Sequence, residues 1–488
     1  MEKLNADCLI LVFKELQEDN ESLYSCLLVN REWCRLAVPI LWEKCQNFSI
    51  FDESREKFYN TILSCLPTSS KQLLLENNIK LPQIILSRPP TFNYISFCKF
   101  ISGKIISDIR DMVFKKEIGD YSKERNLLEQ EIYKLFINQC KNIKELEWIA
   151  YKHLSSFPGA LTCFSQLYSL DLNLYLVNSD DLFEMARICK DLSKLSVCNC
   201  TRDIPGLISL IDAQRNLKSV SFNFCINIIS IDKMTCKELS KILAKKGCTI
   251  NNITLQDSVC IIPLSFLTSL VNLKDLTIRH SYCEDYQDDN QGQLKYLATS
   301  TFPDLESFIF EDYLICCKEL AMLIEKTKGN LWYVEINIFD TFTDNTGMLL
   351  KAIANNCPKL KYLTTYIGSK DLIYVKSLLI NCKFLKSLQL NDSVIEKDNV
   401  GDKLLDMLSK YSPKYLNIIK ISGYWNYSVT ALEKFFESFR ERKLICFDIK
   451  NGFSETITIE QIKVIRKYFD KGVIGYSNVL GKNGLLFS

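Results

Sequence analysis

A short apolar pattern recurs twelve times between residues 143 and 449. Each copy has large apolar residues at positions 1, 4 and 6 of a six-residue frame, except that Thr365 occupies position 6 in one copy. The copies are Ile143-Leu146-Trp148, Leu167-Leu170-Leu172, Leu192-Leu195-Val197, Leu217-Val220-Phe222, Ile250-Ile253-Leu255, Leu273-Leu276-Ile278, Leu305-Phe308-Phe310, Leu331-Val334-Ile336, Leu360-Leu363-Thr365, Leu385-Leu388-Leu390, Leu416-Ile419-Ile421 and Leu444-Phe447-Ile449. Their mean spacing is about 27 residues, which predicts stacked repeats that each add one strand to a parallel sheet.

The segments between these copies have the periodicity of amphipathic helices. Examples are residues 179–189, 346–356, 371–382 and 402–411. A cysteine stands three residues before the frame in several repeats, at Cys140, Cys189, Cys357 and Cys382. The pattern resembles the cysteine-containing class of leucine-rich repeats. That resemblance implies an α/β fold, a curved solenoid with parallel strands inside and helices outside.

The first 42 residues have a different pattern. Leu9, Val12, Phe13 and Leu16 recur at helical spacing, and Asn5 is a candidate N-cap before them. Further apolar groups at 23–27 and 33–37 predict two more short helices, the last ended by Pro39. Three helices in about 40 residues bury little surface by themselves, so part of this apolar surface should face something else.

This segment resembles an F-box of the fungal type, a domain that binds the Skp adaptor of a cullin ubiquitin ligase. The residues that match the motif, and that the resemblance implies for adaptor binding, are Leu4, Leu9, Ile10, Phe13, Leu16, Leu23, Val29, Trp33, Leu36 and Trp42. The alternative is a helical cap on the repeats. A cap would bury Phe13 and Trp33 against the first repeats, whereas an F-box would leave part of the apolar surface free.

The predicted domain organisation therefore has four parts. Residues 1–45 form the F-box, and residues 46–140 form a helical linker or irregular early repeats, one of which is Phe92-Ile95-Phe97. Residues 141–470 form the leucine-rich repeats, and residues 471–488 form a C-terminal cap or tail.

Alternation along each strand selects candidate binding residues for a target protein. Frame positions 3, 5 and 7 point away from the buried residues, onto the concave face of the predicted solenoid. Together with residues just past the strands, the candidates are Arg279, His280, Glu311, Asp312, Tyr333, Glu335, Asn337, Tyr362, Tyr366, Asn391, Tyr424 and Trp425. Mixed aromatic and charged groups of this kind suit protein recognition.

Composition excludes several other classes of partner. Sixty Lys and Arg balance 58 Asp and Glu without long basic runs, so nucleic acid is not expected. No apolar run reaches the roughly 18 residues that span a bilayer, so no membrane segment is expected. Dispersed cysteines, 21 in number, without a secretory signal indicate reduced thiols in the cytoplasm or nucleus.

Catalytic and cofactor motifs are scarce. The chain has two histidines, no C-x-x-C pair and no phosphate-binding or dinucleotide fingerprint, so neither a metal nor a cofactor is expected. An acidic segment, Cys283 to Asn290, is interpreted as a solvated insertion more readily than as a site for a basic peptide. A thiol-dependent enzyme is a third hypothesis, which requires one exposed, electropositive cysteine.

The resemblance to F-box proteins with leucine-rich repeats implies a non-catalytic substrate receptor of a Skp–cullin–F-box ubiquitin ligase. In that function the F-box binds the adaptor, and the concave face of the repeats binds a target protein of unknown identity. The alternative of a different class is a leucine-rich-repeat scaffold with a helical cap and no ligase role.

Overall fold

The computed structural model describes residues 5–43, 52–82, 85, 90–114, 122–149, 153–224, 235–258, 261–280, 287–312, 316–338, 345–392, 400–423, 425–451 and 457–480. Of residues 52–54, 287–291, 369, 392 and 451 only the backbone is described. Two compact units divide the chain: Met1–Asn199 with Ile204–Leu217, and Cys200–Asp203 with Lys218–Ser488.

The first unit begins with helices and continues with strand–helix repeats. Its helices are α1 Ala6–Glu15, α2 Asn20–Val29, α3 Arg31–Glu43, α4 Asp52–Ser64, α5 Thr68–Glu76, α6 Gly103–Val113, α7 Ser122–Gln139, α8 Ala160–Phe164, α9 Ser179–Ile188 and α10 Pro205–Ala213. Its strands are β1 Phe100–Ser102, β2 Glu145–Trp148, β3 Ser169–Asn173 and β4 Lys194–Cys198, and short 3₁₀ helices occupy Tyr94–Phe97 and Leu154–Ser156.

The second unit consists of strands that alternate with helices, as in a solenoid. Its strands are β5 Ser219–Asn223, β6 Asn252–Gln256, β7 Asp275–Arg279, β8 Ser307–Asp312, β9 Tyr333–Ile338, β10 Tyr362–Ile367, β11 Ser387–Asp392, β12 Ile418–Gly423 and β13 Cys446–Asn451. Its helices are α11 Lys237–Lys245, α12 Gln287–Thr299, α13 Cys317–Glu325, α14 Thr346–Asn356, α15 Leu372–Asn381, α16 Val400–Tyr411, α17 Val429–Ser438 and α18 Ile459–Asp470, with 3₁₀ helices at Leu264–Ser269, Ser369–Asp371 and Asn478–Leu480.

The repeating frame is confirmed as the core of both units. Within each unit neighbouring strands are parallel, and position 4 of one repeat lies beside position 4 of the next, as in Leu146 with Leu170 and Leu363 with Leu388. Every frame residue of the twelve copies is 3% exposed or less. Each large apolar side chain buried in this way contributes roughly 1.5–3 kcal/mol to stability. The predicted α/β repeat fold is therefore confirmed.

The cysteines before the frame link successive repeats by hydrogen bonds. The Cys140 thiol donates to the carbonyl oxygen of Ile95 at 2.9 Å, and the Cys189 thiol donates to that of Phe164 at 3.3 Å. In the second unit the Cys382 thiol donates to the carbonyl oxygen of Cys357 at 3.4 Å. Each acceptor carbonyl also accepts from the backbone amide three residues further along its own repeat, so the thiol adds a second hydrogen bond that joins it to the next repeat.

Two details of the N-terminal helices differ from the sequence-based prediction. Helix α3 does not end at Pro39 but continues to Glu43, because burial of Ile40, Leu41 and Trp42 offsets the roughly 3 kcal/mol that an internal proline costs. The side chain of Asn5 forms no capping hydrogen bond in α1. In α2 the cap is Asp19, which accepts from the Ser22 amide at 3.1 Å.

The predicted early repeat at Phe92-Ile95-Phe97 is wrong in register. Tyr94–Phe97 forms a 3₁₀ helix, and the strand follows at β1, where Ile101 pairs with Leu146. The sequence-based frame was placed six residues too early. Ile95 and Phe97 belong to the 3₁₀ helix that precedes the strand, and Ile101 occupies frame position 4.

A C-terminal segment covers the edge of the last strand. The Asn478 side chain accepts from the Ile449 amide at 3.1 Å and donates to the Ile449 carbonyl at 2.9 Å. The Phe447 amide donates to the carbonyl of Tyr476 at 3.0 Å. β13 is the last strand in the order of the sheet, and these bonds pair backbone groups on the edge that no further strand covers.

Thr365 provides a test of the frame. Its side chain is fully buried at position 6, and its hydroxyl has no hydrogen-bond partner. Thr365→Val removes this unsatisfied hydroxyl at nearly constant volume, so we expect the free energy of unfolding to rise by about 1–2 kcal/mol. Chemical denaturation measures it. Thr364→Val, on the partly exposed face of the same strand, is the control, and an equal gain in both variants would contradict the explanation.

Candidate functional site

The three N-terminal helices have a small core of their own. Phe13 of α1 is fully buried and packs edge-on against Trp33 of α3, with ring centroids 5.2 Å apart. Leu9 and Leu23 are also buried, and α1 and α2 both pack on α3. Trp42, at the end of α3, stacks near Phe58 and Tyr94 at 5.3 and 4.6 Å between centroids. The far end of α3 therefore anchors these helices to the rest of the first unit.

Large apolar side chains of α1 and α2 remain exposed to solvent. Leu28 is 88% exposed and Leu11 is 64% exposed, with Val29 at 55% and Val12 at 50%. We call Leu11, Val12, Leu28 and Val29 the α1–α2 apolar surface. These four groups lie on two short helices that follow each other in the sequence and both pack on α3, and their exposure to solvent is typical of residues that bind a partner.

The ten residues predicted to bind an adaptor have different environments. Val29 is exposed; Ile10, Leu16, Trp33 and Leu36 are half-buried; Leu9, Phe13, Leu23 and Trp42 are buried; and Leu4 lies outside the described residues. Val12, which the spacing places on the same apolar stripe as Leu9 and Phe13, is half exposed, so part of this stripe faces away from the small core as expected. The sequence analysis did not select Leu11 and Leu28. A signal for Leu11 was present, because the unbroken apolar run from Leu9 to Phe13 makes α1 apolar on more than one side, and a helix of that kind needs a second surface to cover it.

A polar network lies on the strands β7 to β10 of the second unit. Arg279 Nε lies 2.9 Å from Glu311 Oε2, and Asn337 Nδ2 donates to Glu311 Oε1 at 3.0 Å and Glu335 Oε1 at 3.1 Å. The Tyr333 hydroxyl donates to Glu335 Oε2 at 2.6 Å. The structure thus connects five of the residues selected from the sequence.

Aromatic rings extend this network to the start of the strands. The Tyr333 and Tyr362 centroids are 5.9 Å apart, and Trp332 lies 5.7 Å from Tyr333 and 6.0 Å from Tyr362. Lys361 Nζ lies 6.0 Å from the centroid of the Trp332 ring. We call Arg279, Glu311, Tyr333, Glu335, Asn337 and Tyr362 the β7–β10 network. Its combination of rings, an ion pair and amide groups is typical of protein-binding surfaces.

The remaining predicted binding residues are placed less favourably. Tyr366 is half-buried on the same face, whereas His280, Asp312, Asn391 and Trp425 are buried, and Tyr424 lies outside the described residues. Trp425 is 3% exposed and donates from Nε1 to the Ser422 carbonyl at 3.1 Å, so its proposed contact with a target is wrong. The turn after β12 folds its ring inward, which spacing along a strand does not predict.

Trp332 was missed because it occupies position 2 of the frame. That position precedes the strand, where alternation gives no direction for the side chain.

The acidic segment 283–290 lies largely outside the described residues, and for 287–290 the structure describes only the helical backbone of α12.

Buried thiols dominate among the described cysteines. Burial raises the pKa of Cys163, Cys189, Cys317 and Cys382 to about 12 each. Such thiols stay protonated at neutral pH and are poor nucleophiles. Cys8 and Cys248 are exposed. Within the described ranges, no group of three or more His, Cys, Asp or Glu is arranged to hold a metal ion, and no helix is long and apolar enough to cross a membrane.

By its fold the chain is a strand–helix repeat protein with parallel strands. No family model and no curated protein sequence matches it. Similar solved structures include the crystal structure of the Rad7 and Elc1 complex in yeast, at 14% identity over 68% of this chain and 76% of that chain, with a TM-score of 0.36. Another is the octameric complex of Latrophilin 3 (Lec, Olf), Unc5D (Ig, Ig2, TSP1) and FLRT2 (LRR), at 10% identity over 62% and 81%, with a TM-score of 0.27.

The pKa of Tyr333 tests the β7–β10 network. Burial, and then the hydrogen bond to the Glu335 carboxylate, raise this pKa from 10.0 to about 12, because both favour the neutral phenol. We expect Glu335→Gln to lower the pKa of Tyr333, since the amide carries no negative charge. Ultraviolet titration against a Tyr333→Phe reference measures it. The exposed Glu441 supplies the control, Glu441→Gln, and equal titration curves in both variants would contradict the contact.

Proposed function

We propose that the protein is the substrate-recognition subunit of a Skp–cullin–F-box ubiquitin ligase. In this function α1 to α3 bind a Skp-family adaptor and through it a cullin, and the polar strand face of the repeats binds a target protein. The cytoplasm or the nucleus is the proposed compartment.

The α1–α2 apolar surface carries this proposal. The three helices bury Phe13 against Trp33 among themselves, so the exposed Leu28 and Leu11 are not needed for their core. Fully burying one such leucine on a partner contributes about 1.5–3 kcal/mol, so these four groups are the natural anchors for a contact with a partner. The resemblance of this segment to an F-box is the ground for proposing an adaptor of the Skp family as the partner.

The β7–β10 network supports the second half of the proposal. Its ion pair and hydrogen bonds hold Tyr333 and Arg279 in fixed positions, which lowers the entropy lost when a partner binds. Tyr and Arg are frequent anchors of protein interfaces. A target bound there would be presented to a ubiquitin-loaded enzyme.

We further propose that the protein itself performs no bond chemistry. Its contribution would be to raise the effective concentration of target lysines near the ubiquitin donor. Burial raises the pKa of the Cys189 and Cys382 thiols, so these two do not ionise readily, as a ubiquitin-carrying thiol must.

A repeat scaffold without a ligase role is the second candidate. It is favoured by one observation, the packing of Trp42 on Phe58 and Tyr94, which is what a helical cap requires. A cap does not need the exposed α1–α2 apolar surface, so binding to an adaptor distinguishes the two candidates.

Leu28→Asp tests adaptor binding without disturbing the core, because Leu28 is 88% exposed. Phe13 is unsuitable for such a test, since its side chain is fully buried and a charge there would unfold the helices. We expect the full chain to capture a Skp adaptor in a pull-down assay, and Leu28→Asp to weaken binding by about 10- to 100-fold in calorimetry, the loss typical of an interface anchor.

The matched control is Leu161→Asp. Leu161 is 68% exposed on α8 of the same unit, and the substitution makes the same chemical change. The proposal requires that this variant binds as the wild type does. Failure of the wild-type chain to capture the adaptor would leave the scaffold as the function, and equal weakening in both variants would show that the α1–α2 apolar surface is not the contact.

A further inference from the structure

A row of side chains runs along the edge where strands β9 to β13 start. The residues at frame position 2 are joined by backbone hydrogen bonds: the Lys361 amide donates to the Trp332 carbonyl at 2.8 Å, and the Lys386 amide donates to the Lys361 carbonyl at 2.8 Å. The row continues through Asn417 to Ile445 at 3.1 and 2.8 Å. Because adjacent strands lie about 4.8 Å apart, these side chains are held in a fixed, closely spaced line.

Lysines are concentrated along this row. Exposed lysines flank the buried position-1 leucine of each repeat from β10 to β13, namely Lys359, Lys361, Lys383, Lys386, Lys414 and Lys443. We call them the basic ledge. In the four short segments 357–362, 382–387, 411–418 and 441–446, Glu441 is the one carboxylate. The chain as a whole has nearly equal numbers of basic and acidic residues, so this excess of positive charge is local.

Exposed apolar groups lie among these lysines. Phe384 is 52% exposed, Tyr415 is 50% exposed and Ile445 is 59% exposed, while Trp332 is 37% exposed. None of them is part of the buried frame. Apolar groups that alternate with like charges along a rigid row form a surface suited to a partner that carries both opposite charge and apolar side chains.

A groove opens beside the row. Its volume is about 920 Å³, near the upper end of the 300–1,000 Å³ range typical of ligand sites, and its walls include Trp332, Phe384, Lys359 and Lys361. Lys361 lies over the Trp332 ring, and Lys359 Nζ donates to Asn330 Oδ1 at 2.7 Å, so both lysine side chains are oriented along the groove.

The charges at the other end of the groove narrow the class of partner. Asp304, Glu306 and Lys274 line it there, and Glu306 is paired with Lys274 at 2.7 Å, which leaves Asp304 as the carboxylate without that partner. A nucleic acid carries a phosphate at every step and would meet these carboxylates unfavourably. A polypeptide segment can be acidic in one part and neutral in another, so it can match both the basic and the acidic end of the groove.

We propose that the basic ledge and its groove bind an extended acidic segment of a partner protein, with an apolar side chain of that segment seated between Trp332 and Phe384. The inference goes beyond the proposed function, because it assigns a further surface, at the edge where the strands start, and the chemistry of its ligand. It does not depend on adaptor binding.

The test uses the full chain and a short fluorescein-labelled peptide of Asp and Glu residues around a central Leu-Phe pair. Fluorescence polarisation should show saturable binding that weakens as sodium chloride rises, because the exposed lysines are screened. A peptide with Asn and Gln in place of the acidic residues should not bind. A peptide with Ser in place of the Leu-Phe pair should bind about tenfold more weakly, since the groove then buries no apolar group.

Two double variants locate the site on the protein. Lys361→Glu with Lys386→Glu should lower the peptide affinity about tenfold or more, because like charges repel along the ledge. Lys351→Glu with Lys463→Glu makes the same charge change at exposed lysines of α14 and α18 and should leave affinity unchanged. These are surface positions, and unchanged thermal melting confirms folding in each variant.

Three results would overturn the proposal. These are absence of peptide binding by the wild-type chain, equal losses in the two double variants, or stronger binding of an oligothymidylate of matched charge. The last result would assign the ledge to nucleic acid. The adaptor assay with Leu28→Asp uses a different unit and a different ligand, so failure of either proposal leaves the other to stand on its own result.

Discussion

Burial of the frame residues between neighbouring repeats is the interaction on which the rest of the structure depends. A repeat of about 27 residues cannot enclose three large apolar side chains, and it needs a neighbour in the same register to do so. A slip of one residue would turn Leu363 and its equivalents to the polar face, so the hydrophobic pattern fixes the register of the ladder. The Cys140, Cys189 and Cys382 thiols reinforce it, because each donates a hydrogen bond to a backbone carbonyl of the preceding repeat.

That register also creates the candidate binding surfaces. Once position 4 of each repeat lies beside position 4 of the next, positions 3, 5 and 7 align into the β7–β10 network, and position 2 aligns into the row that carries the basic ledge. Arg279 and Tyr362 are 83 residues apart in the chain and belong to one connected surface for this reason. The frame leaves these positions free of any packing requirement, so their chemistry is available for binding.

The N-terminal helices follow another constraint, that of a core too small to enclose all of its apolar residues. Phe13 and Trp33 fill that core, and Trp42 joins it to the following helices. The apolar groups that remain outside, with Leu28 the most exposed, are the physical basis for proposing a partner there. In the second unit, the backbone and side-chain bonds of residues 476–478 cover the edge of β13.

Local sequence determined the repeat frame, the strand positions, the intervening helices and the choice of all six residues of the β7–β10 network, because strand alternation is a two-residue rule that needs no knowledge of distant contacts. The tertiary structure alone decided which helix faces are covered: Val12 and Phe13 are neighbours with the same apolar character, yet one is half exposed and the other fully buried. The tertiary structure also decided that Trp425 is buried and that α3 continues past Pro39. Each of these outcomes depends on what packs against the residue from elsewhere in the chain, and that information is not contained in the spacing of apolar residues along one element.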